Sequence, residues 1–278
     1  MLALAVITAG KYAYDFFLGD DSGPMTQDSE YATLAPMEDK TKHGPEKETP
    51  TDSGNSQEET QPSGNIPVKP ASIYDSVPFS FDNIDHAGYK KRNKDYDGFL
   101  NIPGTAVSYP VVFPEKDNSE YLHKSFDGKY SFPGTMFIDR FALNMVNEEN
   151  LIIYGHNMVA EKMFGGLYRF KDKDYFDSHQ YIEFYTENWR KVYLVFSVRY
   201  GGADMDDKDY VLTGFDRQDY INYAAGKSVQ KRDIDLSSPD FSGKQPQIIT
   251  LYTCTSDKNK KLLVSAVEVK SEYTKHSG

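Results

Sequence analysis

Cysteine occurs once in the 278 residues, at Cys254. That excludes an internal disulfide and leaves either a free reactive thiol or an intermolecular bridge. No glycine-rich phosphate loop is present, and no His/Cys/Asp cluster has metal-ligand spacing, so neither cofactor nor metal is expected. The net charge of −11 and the lack of a Lys/Arg stripe exclude nucleic acid as a partner. An uninterrupted apolar run of about 20 residues, the length that spans a bilayer, is also missing.

The chain has instead a short apolar start, Met1 to Gly10, followed by Lys11 and then Tyr12, Tyr14, Phe16, Phe17 and Leu18. Residues 1–18 are expected to be the remnant of an N-terminal membrane anchor; the alternative is a short amphipathic helix on a soluble protein. Residues 19–70 are dominated by Asp, Glu, Ser, Thr, Gly, Pro and Gln, too polar to offset their ordering entropy, which predicts a disordered linker. Residues 71–278 are rich in Tyr, Phe, Val and Ile and supply one core. An anchor, a polar spacer and one folded domain predict a protein tethered to the outer face of a cell membrane.

The folded part reads as short strands separated by turns. Phe99 to Thr105 passes through Pro103-Gly104 into Val107 to Val112, where Val107, Tyr109 and Val111 alternate. Further strands are expected over 134–138, 151–154, 181–185, 192–198, 248–254 and 262–269. This spacing predicts a mainly β fold, a closed or nearly closed barrel. Helix is expected within 75–94, over 162–170, and over 216–225, where Asp216 caps the start and Gly226 ends it. The last helix precedes the Cys254 strand and is expected to overhang the site.

Two apolar runs each deliver a reactive side chain at their downstream end. Ile248-Ile249-Thr250-Leu251-Tyr252-Thr253 leads to Cys254, and Leu151-Ile152-Ile153-Tyr154-Gly155 leads to His156. A thiol and an imidazole at the mouths of neighbouring strands make a cysteine nucleophile with its acid/base partner. The competing interpretations are a small buried hydrophobe for Cys254 and a loop residue capping a strand end for His156. With reference pKa values of about 8.5 and 6.5, few sites hold thiolate and imidazolium together at neutral pH, which predicts slow turnover. His43, His86, His123, His179 and His276 lie in polar stretches and are expected to be solvated.

Thr250-Leu251-Tyr252-Thr253-Cys254 resembles the Thr-Leu-x-Thr-Cys signature of sortases. Tyr154-Gly155-His156-Asn157-Met158, with Met163-Phe164-Gly165, is similar to their histidine loop. The similarity runs from about Ile73 to Val269 and is greatest to class B. It implies an eight-stranded sortase barrel with N-terminal helices and a helix before the cysteine strand. It also implies a membrane-tethered cysteine transpeptidase of Gram-positive bacteria. Such an enzyme cleaves a C-terminal sorting signal of secreted proteins, typically Asn-Pro-x-Thr-like, holds a thioester, and passes it to an amine of the cell-wall peptidoglycan precursor. Carried onto this sequence, Cys254 is the nucleophile and His156 the acid/base.

The family places an arginine at the start of the strand after the cysteine loop, facing the scissile carbonyl oxygen, where this chain has Lys261. Lysine keeps the charge without the forked donor geometry. Either Lys261 substitutes weakly for the arginine, or another residue such as Arg232 serves, with Lys261 in a solvated loop. The resemblance also puts Ser108, Val112, Thr213, Tyr220 and Tyr252 near positions that contact the sorting signal. Two other readings remain: a catalytically impaired sortase-fold surface protein, and a hydrolytic protease that gives its acyl group to water.

Overall fold

The computed structural model describes residues 72–114, 116–139, 149–202, 216–241, 243–257 and 259–274. The anchor and linker expected over 1–18 and 19–70, and Thr213, lie outside the described residues. Among the described residues no helix is long and apolar enough to cross a membrane.

Among the described residues nine strands form in order: β1 (Tyr96–Asn101), β2 (Ser108–Val112), β3 (Met136–Ile138), β4 (Asn150–Tyr154), β5 (Tyr181–Tyr185), β6 (Trp189–Gly202), β7 (Ser228–Lys231), β8 (Ile248–Cys254) and β9 (Lys260–Tyr273). The sheet runs β5-β1-β2-β3-β4-β8-β9-β6, and pairing of β5 with β6 closes these eight strands into a barrel. The ninth, β7, adds to the downstream half of β6, opposite Ser197 to Arg199. It escapes the sequence pattern because Ser228-Val229-Gln230-Lys231 is polar and its one apolar side chain is exposed.

Local chemistry explains the connections. Pro103-Gly104 makes a turn in which the Thr105 N–H donates to Ile102 O at 3.1 Å, and Gly104 sits at φ +79°, the left-handed position such a turn requires. β1 and β2 then pair antiparallel from Asn101 opposite Ser108. Two strand pairs are parallel, β2 with β3 and β4 with β8, and so need long crossovers.

Alternate strand residues, among them Leu100, Val111, Ile153, Val195, Leu251 and Val264, make one buried cluster. A 3-10 helix, Gly165–Lys171, follows the histidine loop, and Phe164, Leu167 and Phe170 from this region pack into that cluster. A second cluster joins the N-terminal helix α1 (His86–Arg92) to the sheet through Tyr89, Tyr96 and Phe99. A third forms under α3 (Arg217–Gly226), which follows α2 (Lys173–Ser178); it contains Tyr220, Ile221 and Ala224 with Val192, Phe196 and Ile248. As expected, Asp216 caps α3 by accepting from the Gln218 N–H at 2.8 Å. The expected overhang is corrected: α3 packs beside Ile248, at the far end of β8 from Cys254, because its apolar side chains find their burial on the flank of the barrel.

Candidate active site

The register of β4 and β8 brings the two reactive side chains together. The strands run parallel with Tyr154 opposite Tyr252, so the next positions but one, His156 and Cys254, emerge side by side at one rim. Two hydrogen bonds continue the pairing past the last ladder pair. The Gly155 N–H donates to Tyr252 O at 3.2 Å, and buried Thr253 Oγ1 donates to Gly155 O at 2.7 Å.

β9 supplies the third group. Cys254 pairs with Lys261 across the β8–β9 hairpin. Lys261 is only 2% exposed, and its Nζ lies 3.5 Å from Cys254 Sγ. The residue is therefore a buried strand position, not part of a solvated loop. An ammonium at this distance stabilises a thiolate and lies beside any oxyanion formed on a carbonyl that the sulfur attacks. Arg232, the alternative cation, lies elsewhere: its guanidinium donates to Val195 O and covers the Phe176 ring at 4.6 Å.

The histidine loop is tightly built. The Phe164 N–H returns to His156 O at 2.9 Å, and the Met163 N–H donates to Tyr109 OH at 3.2 Å. Burial raises the Tyr109 phenol pKa, and the Met163 N–H partly opposes that rise. Ala160, Glu161 and Met163 take left-handed φ values of 55°, 59° and 51° without being glycine. Each costs about 1 kcal/mol or more, which the loop's ties must offset.

His156 is half-buried, and its Nε2 lies 3.0 Å from Leu122 O in the β2–β3 connection. His123, expected to be solvated, instead stacks on His156 with ring centroids 5.6 Å apart. Ring stacking between positions so distant in the chain leaves no periodic signal in the sequence.

A groove of about 480 Å³ opens beside Cys254. It is lined by Asn157 of the histidine-loop motif and by Tyr168, Lys171, Tyr200, Asp257 and Lys260, which no motif singled out. Lys171 Nζ lies 5.8 Å from the Tyr168 ring and 5.9 Å from the Tyr200 ring, and Asp257 pairs with Lys260 at 3.4 Å.

The remaining sequence-predicted residues divide by position. Val112 and Tyr252 lie in one row of paired residues, Val112, Phe137, Tyr154, Tyr252 and Leu263, just below the Cys254 rim. Both side chains are buried in the second cluster. Ser108 begins β2, at the opposite end of that strand from Val112. Tyr220 is fully buried under α3, where its hydroxyl accepts from Arg199 Nη2 at 3.0 Å. The structure therefore gathers Cys254, His156 and Lys261 at one rim, with Tyr252 and Val112 beneath it, and leaves Ser108 and Tyr220 away from them.

Comparison with known proteins agrees with this arrangement. A family model described as a sortase domain matches residues 100–269. Sortase B of Listeria monocytogenes is 32% identical over 174 residues, covering 61% of this chain and 67% of that protein. The crystal structure of Clostridium perfringens sortase B has a TM-score of 0.57 at 31% identity, over 66% of this chain and 99% of that one. A Staphylococcus aureus sortase B–substrate complex has a TM-score of 0.56 at 26% identity, over 66% of this chain and 84% of that one. The closed barrel, the cysteine and histidine at one rim and these likenesses together show that the chain belongs to the sortase family, as a class B sortase-type cysteine transpeptidase acting on sorting signals.

Proposed function

We propose that the chain cleaves an Asn-Pro-x-Thr-like sorting signal at the C-terminus of secreted proteins and joins them to an amine of the cell-wall peptidoglycan precursor. The observation that carries this reading is the meeting of Cys254, His156 and Lys261 at one rim beside an open groove.

Each step follows from those groups. The Cys254 thiolate, with the Lys261 ammonium beside it, attacks the carbonyl carbon of the scissile amide. Charge that develops on the carbonyl oxygen is met by the same ammonium. The C–N bond breaks as His156 protonates the departing amine, leaving a thioester on Cys254. His156, now neutral, takes a proton from the incoming amine as that nitrogen attacks, and the C–S bond breaks to return the thiolate. The S. aureus sortase B solved in complex with its substrate supports a substrate-binding role for a barrel of this kind.

We further propose that residues 1–18 anchor the protein and 19–70 space it from the outer face of the membrane, with 71–278 as the catalytic domain. The polar composition of 19–70 supports a spacer of this kind.

The test is a panel of sorting-signal peptides incubated with the full chain, with and without an oligoglycine or stem-peptide amine. Expected are an acyl adduct on Cys254 by intact mass and a new peptide bond to the amine. Product that is unchanged by any amine favours the hydrolytic protease. No adduct with any peptide would refute the proposed reaction and leave an impaired surface protein.

A further inference from the structure

The strands bring His156 to the rim, but the orientation of its ring is set by the connection between β2 and β3, residues 113–135. Leu122 O lies 3.0 Å from His156 Nε2. A carbonyl oxygen only accepts, so Nε2 carries a proton, and in the neutral ring Nδ1 is the bare nitrogen. The rings of His123 and Phe132 stack on His156, with interplanar angles of 26° and 22° and centroids 5.6 and 6.3 Å away. They also stack on each other, at 5.9 Å and 24°.

His123 is itself fixed. Its Nδ1 lies 3.1 Å from Phe132 O, which assigns the Nδ1 proton to that contact, and the Ser131 N–H donates to His123 O at 3.0 Å. Two near-parallel rings from one loop thus form a holder for the imidazole at the strand end. Barrel closure does not require it, since none of the three rings belongs to the buried clusters.

We propose that His123 is a positioning residue for His156. It holds the imidazole plane so that Leu122 O retains the Nε2 proton through both half-reactions, and all proton exchange with the leaving and incoming amines occurs at Nδ1. This rests on the transpeptidase reading for its catalytic consequence. The tautomer it assigns can be measured without turnover.

The test uses the full chain labelled with 15N-histidine, at a pH above the imidazole titration, together with His123→Ala and His123→Phe. In the parent, His156 should show a proton-bearing Nε2 and a bare Nδ1. In His123→Ala the two nitrogen shifts should move toward averaging. With an active signal peptide, kcat of that variant should fall about tenfold while KM stays within about twofold, the pattern of a lost transition-state interaction. His123→Phe keeps the stacked ring and should restore the parent tautomer and at least about half of the parent kcat. The proposal is overturned if His123→Ala keeps both the parent tautomer and the parent kcat, or if phenylalanine rescues neither. If the parent turns over no signal peptide, the transpeptidase reading fails, and the nitrogen shifts still decide whether His123 sets the tautomer.

Discussion

Lys261 Nζ lies 3.5 Å from Cys254 Sγ across a hairpin, and the lysine is almost wholly buried. A desolvated ammonium beside a sulfur favours the thiolate, so the pair links nucleophile activation to oxyanion stabilisation. Lys261→Met keeps the stem and removes the charge. It should lower kcat/KM about a hundredfold and slow alkylation of Cys254 by iodoacetamide at neutral pH. Lys261→Arg adds a forked donor at the same point and should raise kcat about tenfold, equivalent to about 1.4 kcal/mol. Parent-like alkylation and turnover in the methionine variant would remove Lys261 from the mechanism.

His156 is half-buried at a strand end and contributes to none of the buried apolar clusters. His156→Ala should therefore retain the fold while losing about a hundred- to ten-thousandfold in kcat, the usual worth of a positioned acid/base. Circular dichroism checks the fold and single-turnover thioester formation checks the chemistry. Undiminished turnover would mean that another group moves the proton.

The barrel was legible in the sequence because strands such as Leu151 to Tyr154 and Ile248 to Thr253 are largely apolar runs buried on both faces. Cys254 and His156 stood out because each ends such a run. Lys261 was harder to place: three lysines in close succession look like a solvated loop, and only pairing with Cys254 shows that one of them is a buried strand residue. His123 and the groove tyrosines Tyr168 and Tyr200 were not legible at all. Their roles depend on contacts between distant segments, which neither periodicity nor local turn chemistry encodes.

The bond from Thr253 Oγ1 to Gly155 O ties β8 to the segment leading into His156. Both groups are buried, so Thr253→Val leaves a carbonyl without its donor, at a cost of about 1–3 kcal/mol. For a domain of this size that is a drop in Tm of about 2–4 °C per kcal/mol. Thr253→Ser should recover most of the loss. Equal thermal stability of the valine variant and the parent would show that this tie contributes nothing.

Gly165 closes the histidine loop where no larger residue fits. A Cβ at that position would lie 1.8 Å from Met158 O, and the clashing atom is backbone, which cannot rotate aside. Gly165→Ala must therefore push apart the segment that carries His156, Met158 and Phe164, at a cost of about 3 kcal/mol. Because Phe164 is buried in the main cluster, the displacement should reach both stability and activity. The expected result is a lowered Tm together with a loss of thioester formation. Gly226, which ends α3 with nothing within 4 Å of its would-be Cβ, is the control. Gly226→Ala should be neutral or stabilise by up to about 1 kcal/mol through helix propensity. If Gly165→Ala matches Gly226→Ala in thermal unfolding and in turnover, the close approach does not constrain the loop.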